Sequence, residues 1–129
     1  MKTKKIKLVY PKLCYKIVGI LYEVHNELGI GLKEKHYQKA VSQSLKKEGY
    51  NFKEQLMVPI KFKGVVIGRF FLDFLIENKV VLEIKRKHYF SGKNIEQVYS
   101  YLKSTGLKLG IIANFTRHGV KFKRIVNVK

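Results

Sequence analysis

At Gly49 the hydrophobic pattern of the chain changes period. Before it, apolar residues recur at three- and four-residue spacing. Leu13, Ile17, Ile20, Leu21, Val24 and Leu28 predict a helix from about Lys12 to Leu28. Tyr37, Val41 and Leu45 predict a second, from about Lys33 to Glu48, with the glycines of Gly29-Ile30-Gly31 between the two. After Gly49 the apolar residues crowd into short runs. Gln55 to Phe62, Val65 to Ile76 and Val80 to Lys85 read as three strands, joined by Lys63-Gly64 and by Glu77-Asn78-Lys79. Helical spacing returns from Asn94 to Ser104 through Ile95, Val98, Tyr99 and Leu102. Leu107 to Ala113 and Val120 to Val126 read as two final strands. The order α-α-β-β-β-α-β-β is that of an α/β (α+β) fold. Its antiparallel meander, followed by a helix and a further strand, implies a mixed β-sheet flanked by helices.

A chain of 129 residues predicts a single domain, 11–129, behind a basic N-terminal arm over residues 1–10. The lone cysteine, Cys14, excludes an internal disulfide framework and a cysteine zinc site, and the cytoplasm is the expected compartment. No stretch reaches ~18 uninterrupted apolar residues, so no membrane crossing is expected. Charge is the outlier: 27 Lys and Arg against 9 Asp and Glu give a net +18. A balance this one-sided repels itself and is usually matched by a polyanion, nucleic acid before an anionic membrane surface. A proteome-wide lysine bias would leave the same mark.

With so few acids, their placement is informative. The only aspartate, Asp73, lies in Arg69-Phe-Phe-Leu-Asp-Phe-Leu-Ile76, a segment otherwise apolar on both faces. Alternation puts Phe70, Leu72, Phe74 and Ile76 on one face and Phe71, Asp73 and Leu75 on the other. A carboxylate there must be paired, hydrogen-bonded or bound to metal. It reads either as a structural ion pair or as part of a site. On the next strand Glu83 and Lys85 project from one side, and Val80, Leu82 and Ile84 take the other. The connecting loop decides whether the acids meet. A two-residue loop would set Asp73 against Leu82, and a three-residue loop, Glu77-Asn78-Lys79, sets it against Glu83. The three-residue loop is expected, since Asn tolerates the left-handed conformation it needs. Opposed side chains lie roughly 4.5–5.5 Å apart at Cβ, close enough for two carboxylates to share a cation. Oxygen ligands of this kind suit Mg²⁺, with Mn²⁺ as a substitute.

Asp, a hairpin and then Glu-x-Lys, in this order of elements, resembles the PD-(D/E)XK nuclease superfamily. The segment Glu23 to Tyr37 resembles the GxxExxY proteins of that superfamily, with Gly31, Glu34 and Tyr37 in the naming positions. Leu72 stands where a proline often precedes the aspartate. The resemblance covers about Leu13 to Val126 and implies a restriction-endonuclease-like core. It implies that Asp73 and Glu83 bind metal, that Lys85 activates water and stabilises charge on the phosphate, and that Glu34 completes the metal shell. Glu34 is equally a first-turn helix acid, and Tyr37 reads as core. Gln97 and Tyr101, four apart on one helix face, match a Gln-x-x-x-Tyr element beside the active site in one branch. Gln97 would contact the lysine, the water or the DNA backbone. As residues alone, the two read equally as a surface glutamine and a half-buried tyrosine. Candidate nucleic-acid contacts are Lys85, Arg86, Lys87, Lys93 and Tyr101, and Tyr89 and Phe90 read mainly as loop anchors.

The expected function is a Mg²⁺-dependent deoxyribonuclease. Its sharpest form is an endonuclease for branched or Holliday-junction DNA, working as a homodimer, as the similar archaeal resolvases do. The alternative is a non-catalytic nucleic-acid-binding module that keeps the nuclease fold.

Overall fold

In the computed structural model, residues 9–128 are described. Residues 1–8, most of the expected basic arm, lie outside them. Val9 and Tyr10 belong to the domain: both pack on the core, and Arg124 donates a hydrogen bond to the Val9 carbonyl at 3.0 Å.

The elements follow the expected order: α1 (Pro11–Leu28), α2 (Glu34–Lys47), β1 (Phe52–Phe62), β2 (Val65–Ile76), β3 (Val80–Lys85), α3 (Gly92–Thr105), β4 (Leu109–Thr116) and β5 (Gly119–Val126). Local chemistry sets the helix ends. Pro11 opens α1, where its missing N–H costs nothing. The Ser91 hydroxyl caps α3 by accepting the Asn94 N–H at 3.0 Å. Gly106, at φ 77°, closes it in the left-handed conformation.

The five strands form one sheet in the order β1-β2-β3-β4-β5. Neighbours are antiparallel except β3 and β4, which run parallel because α3 carries the chain across between them. Helices α1 and α2 cover one face, over Phe74, Ile76, Val80, Leu82, Ile84, Ile111 and Ala113. Helix α3 covers the other, over Leu72, Leu75, Val81, Ile112 and Ile125. This is the mixed, helix-flanked sheet that the periodicity implies.

Two strand boundaries differ from expectation by three residues. β1 begins at Phe52 rather than Gln55, because Lys53 and Glu54 pair with Leu75 and Phe74 although they lack an apolar alternation. β4 runs on to Thr116 rather than ending at Ala113. Asn114 and Thr116 are buried there and bond the Tyr89 and Gly119 carbonyls, so polar side chains continue a strand that hydropathy ends early.

The simple alternation expected for β2 fails at Asp73. Phe74 and Ile76 lie under α1 and α2, as alternation with Leu72 would not allow, since Leu72 packs on the α3 side with Leu75. The partner strand turns at the same level. Gln55, opposite Asp73, has φ 51°, and Phe52 and Leu56 lie on different faces although four apart. Both strands of the hairpin therefore swivel together at Gln55 and Asp73. Beyond that level the hairpin extends as a two-stranded ribbon to the Lys63-Gly64 turn.

Candidate active site

The swivel splits β2 from β3. Their ladder covers only Ile76–Val80, Leu75–Val81 and Phe74–Leu82. That register makes Glu77-Asn78-Lys79 a three-residue loop, with Glu77 and Asn78 both left-handed at φ 53°, and sets Asp73 opposite Glu83. At this pair side chains replace the ladder. The Asp73 N–H donates to Glu83 Oε1 at 2.6 Å, and the Ile84 N–H donates to Asp73 Oδ2 at 2.7 Å. The two acids are thus locked to each other's strands at the mouth of the fork, 6% and 3% exposed.

Helix α2 completes the cluster from above. Its N-terminus sets Glu34 Oε1 3.8 Å from Lys85 Nζ, which also lies 3.4 Å from Glu83 Oε2. One turn later, Gln38 donates to Asp73 Oδ1 at 2.8 Å. Tyr37, between them, faces inward: its ring packs on Phe115 and its hydroxyl donates to the Gly29 carbonyl at 2.6 Å, fixing the α1–α2 loop. A crevice of about 190 Å³ leads to Asp73 between Lys35, Gln38, Lys39 and Gln55.

Burial dominates the electrostatics. Desolvation, and then the Asp73 charge beside it, push the Glu83 carboxyl up to about 8 against the pull of Lys85. Burial also raises Asp73, opposed by the Ile84 N–H, and raises Glu34, opposed by Lys85. Two carboxylates in one buried fork cannot both stay ionised at neutral pH without added positive charge. Hard oxygen donors, a shared site and a deficit of cation are what a divalent ion fits. Asp73 and Glu83 could hold it, each with lone pairs left after the bonds above. Among the described residues no three His, Cys, Asp or Glu side chains gather tightly enough to form a finished ligand set. Glu34 meets the acids through Lys85 rather than directly.

The structure therefore brings Glu34, Asp73, Glu83 and Lys85 together. Gln97 and Tyr101 sit on α3, both half-buried, Tyr101 against the α3-side core, and neither bonds to this cluster among the described residues. Arg86, Lys87 and Lys93 are exposed on the loop and helix start that follow Lys85. Phe90 anchors that loop in the core, whereas Tyr89 is 64% exposed under Lys87. Sequence reasoning missed Gln38 and Asn114. Gln38 had a usable signal, standing four residues after Glu34 and so on the same helix face. Asn114 had none: its role, tying β4 to the Tyr89 carbonyl at 2.8 Å, depends on a parallel pairing with Lys85.

Comparison with known proteins bears on the fold and the family. No curated protein matches the chain. Among solved structures, SSO0001 superposes with a TM-score of 0.54 at 19% identity, over 74% of this chain and 50% of its own. The chain thus spans half the length of that protein. An alkaline exonuclease (LHK-Exo) from Laribacter hongkongensis superposes with a TM-score of 0.50 at 13% identity, over 95% of this chain and 73% of that one. At such identities the likeness is one of fold. A family model matches residues 11–125, which contain the forked strands, Asp73, Glu83, Lys85 and the helix that carries Glu34. By that match the chain belongs to the PD-(D/E)XK nuclease superfamily.

Proposed function

We propose that this protein is a metal-dependent deoxyribonuclease that hydrolyses phosphodiester bonds at the Asp73–Glu83–Lys85 cluster, with branched or junction DNA as its substrate form. The observation that carries the reading is the buried Asp73–Glu83 pair in a strand fork, with Lys85 Nζ 3.4 Å from Glu83. Such a pair destabilises an apo protein, and it suits a divalent cation, Mg²⁺ or Mn²⁺. When bound, that cation supplies Lewis-acid charge to a phosphate oxygen and lowers the pKa of the attacking water.

The chain's own residues do the rest. The Ile84 N–H and the Gln38 amide each hold one oxygen of Asp73, so its carboxylate cannot rotate away from the fork. The Asp73 N–H holds Glu83 in the same way. Lys85 presents an ammonium where negative charge grows on the phosphate in the transition state. Glu34 restrains that ammonium from the helix side. The net +18 draws in a polyanionic substrate.

The test is a cleavage panel. Labelled single-stranded, duplex, flapped and four-way-junction DNA, with RNA beside them, is incubated with Mg²⁺, Mn²⁺ or EDTA. Cutting of DNA that needs metal, prefers branched forms and falls to background in Asp73→Asn and Lys85→Ala is expected. Folded wild type that cuts nothing, or cuts equally well in EDTA, overturns the proposal.

A further inference from the structure

A buried acceptor beside the Asp73–Glu83–Lys85 cluster lacks a donor. Asn114, on β4, is 1% exposed. Its amide nitrogen donates to the Tyr89 carbonyl at 2.8 Å. That bond fixes the orientation of the side chain, since turning the amide over would set two oxygens against each other. Asn114 Oδ1 then has no hydrogen-bond partner among the described residues. Buried polar atoms of a native fold are nearly always paired, and an orphan marks strain, a working role or a bound water. Anchoring the Tyr89 loop accounts for the nitrogen and leaves the oxygen over.

Strand register limits which side chains can reach it. Asn114 pairs with Lys85 of β3 on one flank and with Lys121 of β5 on the other. All three share the α3 face of the sheet, to which Ile112 also turns. Lys121 is exposed and keeps its hydration. The Lys85 side chain is only 23% exposed, so its ammonium needs protein acceptors. Those it has are distant. Glu83 Oε2 lies at 3.4 Å and Glu34 Oε1 at 3.8 Å, against roughly 2.7–2.9 Å for a direct charge-assisted bond. The Glu83 contact is also the one that a divalent cation in the fork competes for, and two cations on one carboxylate repel each other. The fork opens toward β2, and β4 lies on the other side of β3. An ammonium displaced from the fork therefore moves toward Asn114, whose oxygen is free.

We propose that Asn114 is a positioning residue for Lys85. Its Oδ1 takes the ammonium when the fork between Asp73 and Glu83 fills, and holds it beside the site instead of on Glu83. Lys85 thus has two stations, the acids in the empty fork and Asn114 in the filled one. Glu83 is released without sending the ammonium into solvent. The inference rests on the reading of the fork as a cation site.

The experiment is Mn²⁺ binding by titration calorimetry, without nucleic acid, on wild type, Asn114→Leu, Lys85→Ala and the double variant. Asn114→Leu is expected to bind about 10–100-fold more weakly, because the ammonium then stays on Glu83. Lys85→Ala is expected to bind no more weakly than wild type, since its competing charge is gone. In that background Asn114→Leu is expected to change nothing, whereas loop anchoring alone would cost the same with or without Lys85. The same cycle run with Lys121→Ala is expected to show no coupling. Wild-type magnetic resonance spectra decide the case even if Asn114→Leu does not fold. As Mg²⁺ is added, the nitrogen signal of the Lys85 ammonium and the side-chain carbonyl signal of Asn114 should shift together. Equal binding by wild type and Asn114→Leu, an equal loss with and without Lys85, or an Asn114 signal that stays still as the fork fills overturns this proposal and leaves the cation site standing. Wild type that binds no Mn²⁺ overturns the reading of the fork, and this proposal with it.

Discussion

Gln38 shows how much a single amide can set. It is the side chain that ties helix α2 to Asp73, through one hydrogen bond of 2.8 Å. Without it, Asp73 keeps the Ile84 N–H on one oxygen and loses its hold on the other. Groups that orient a metal-binding carboxylate typically cost roughly 10–100-fold in metal affinity or activity when removed. Gln38→Ala is therefore expected to raise the Mg²⁺ concentration needed for half-maximal cleavage by about that factor. Thermal stability should change little, since Gln38 is only half-buried. A Mg²⁺ titration of cleavage beside a melting curve checks both. Glu83 makes a second prediction at this scale. Its carboxyl, ordinarily near 4.5, stands at about 8 in the fold. Between those values the folded protein keeps a proton that the unfolded chain has released, so stability falls as pH rises through that window and levels off above it. Melting temperatures in EDTA should drop from pH 5 to pH 8, and Glu83→Gln, which cannot ionise, should flatten the profile. Added Mg²⁺ should raise the melting temperature more at pH 8 than at pH 5, because cation and proton compete for one site.

At the scale of elements, α3 depends on a missing side chain. Gly110, the second residue of β4, faces α3, and a Cβ there would collide with Val98 Cγ1 and touch Leu102 Cδ1 at 3.7 Å. Gly110→Ala should push α3 off the sheet and destabilise the fold by about 1–3 kcal/mol, the usual cost of overpacking. Val98→Ala frees the space, so the double variant should recover part of that loss, and a denaturation cycle over the four proteins measures the coupling. Elements are also where the legible and the hidden divide. The strand from Val65 to Ile76, its three-residue loop and the strand from Val80 to Lys85 could be read from residue types, because turn chemistry and apolar runs are local. The opposition of Asp73 and Glu83 followed from that loop alone. The swivel at Gln55 and Asp73 could not be read, because it comes from two strands covered by helices on opposite sides at different heights. The same coverage explains why the expected faces of β2 failed beyond Asp73. It also explains why Asn114 and Thr116, polar by type, prolong a buried strand. Glu34 was legible as a helix acid, whereas its contact with Lys85 required knowing that α2 starts above the fork.

For the whole molecule, the question is whether +18 acts as a diffuse field or as a placed surface. The scarcity of acids makes the whole exterior basic, and a diffuse field alone would draw in any polyanion. The site argues for placement. Arg86 and Lys87 follow Lys85 directly and are exposed, while Lys35 and Lys39 flank the crevice to Asp73. Lys46 and Lys47 end the same helix that Glu34 begins, roughly 20 Å away at 1.5 Å per residue. These two pairs permit a comparison at constant charge. Each phosphate contact contributes about 0.9 to the slope of log affinity against log salt. In Asp73→Asn, which is expected to bind without cutting, replacing Arg86 and Lys87 with alanine should lower that slope by about 2 and weaken all DNA forms alike. Replacing Lys46 and Lys47 removes the same charge and should leave the slope nearly unchanged. Fluorescence anisotropy over a salt series reads both. Equal effects from the two pairs would mean that the charge acts only as a field, and that the fork meets its substrate without help from the loop behind Lys85.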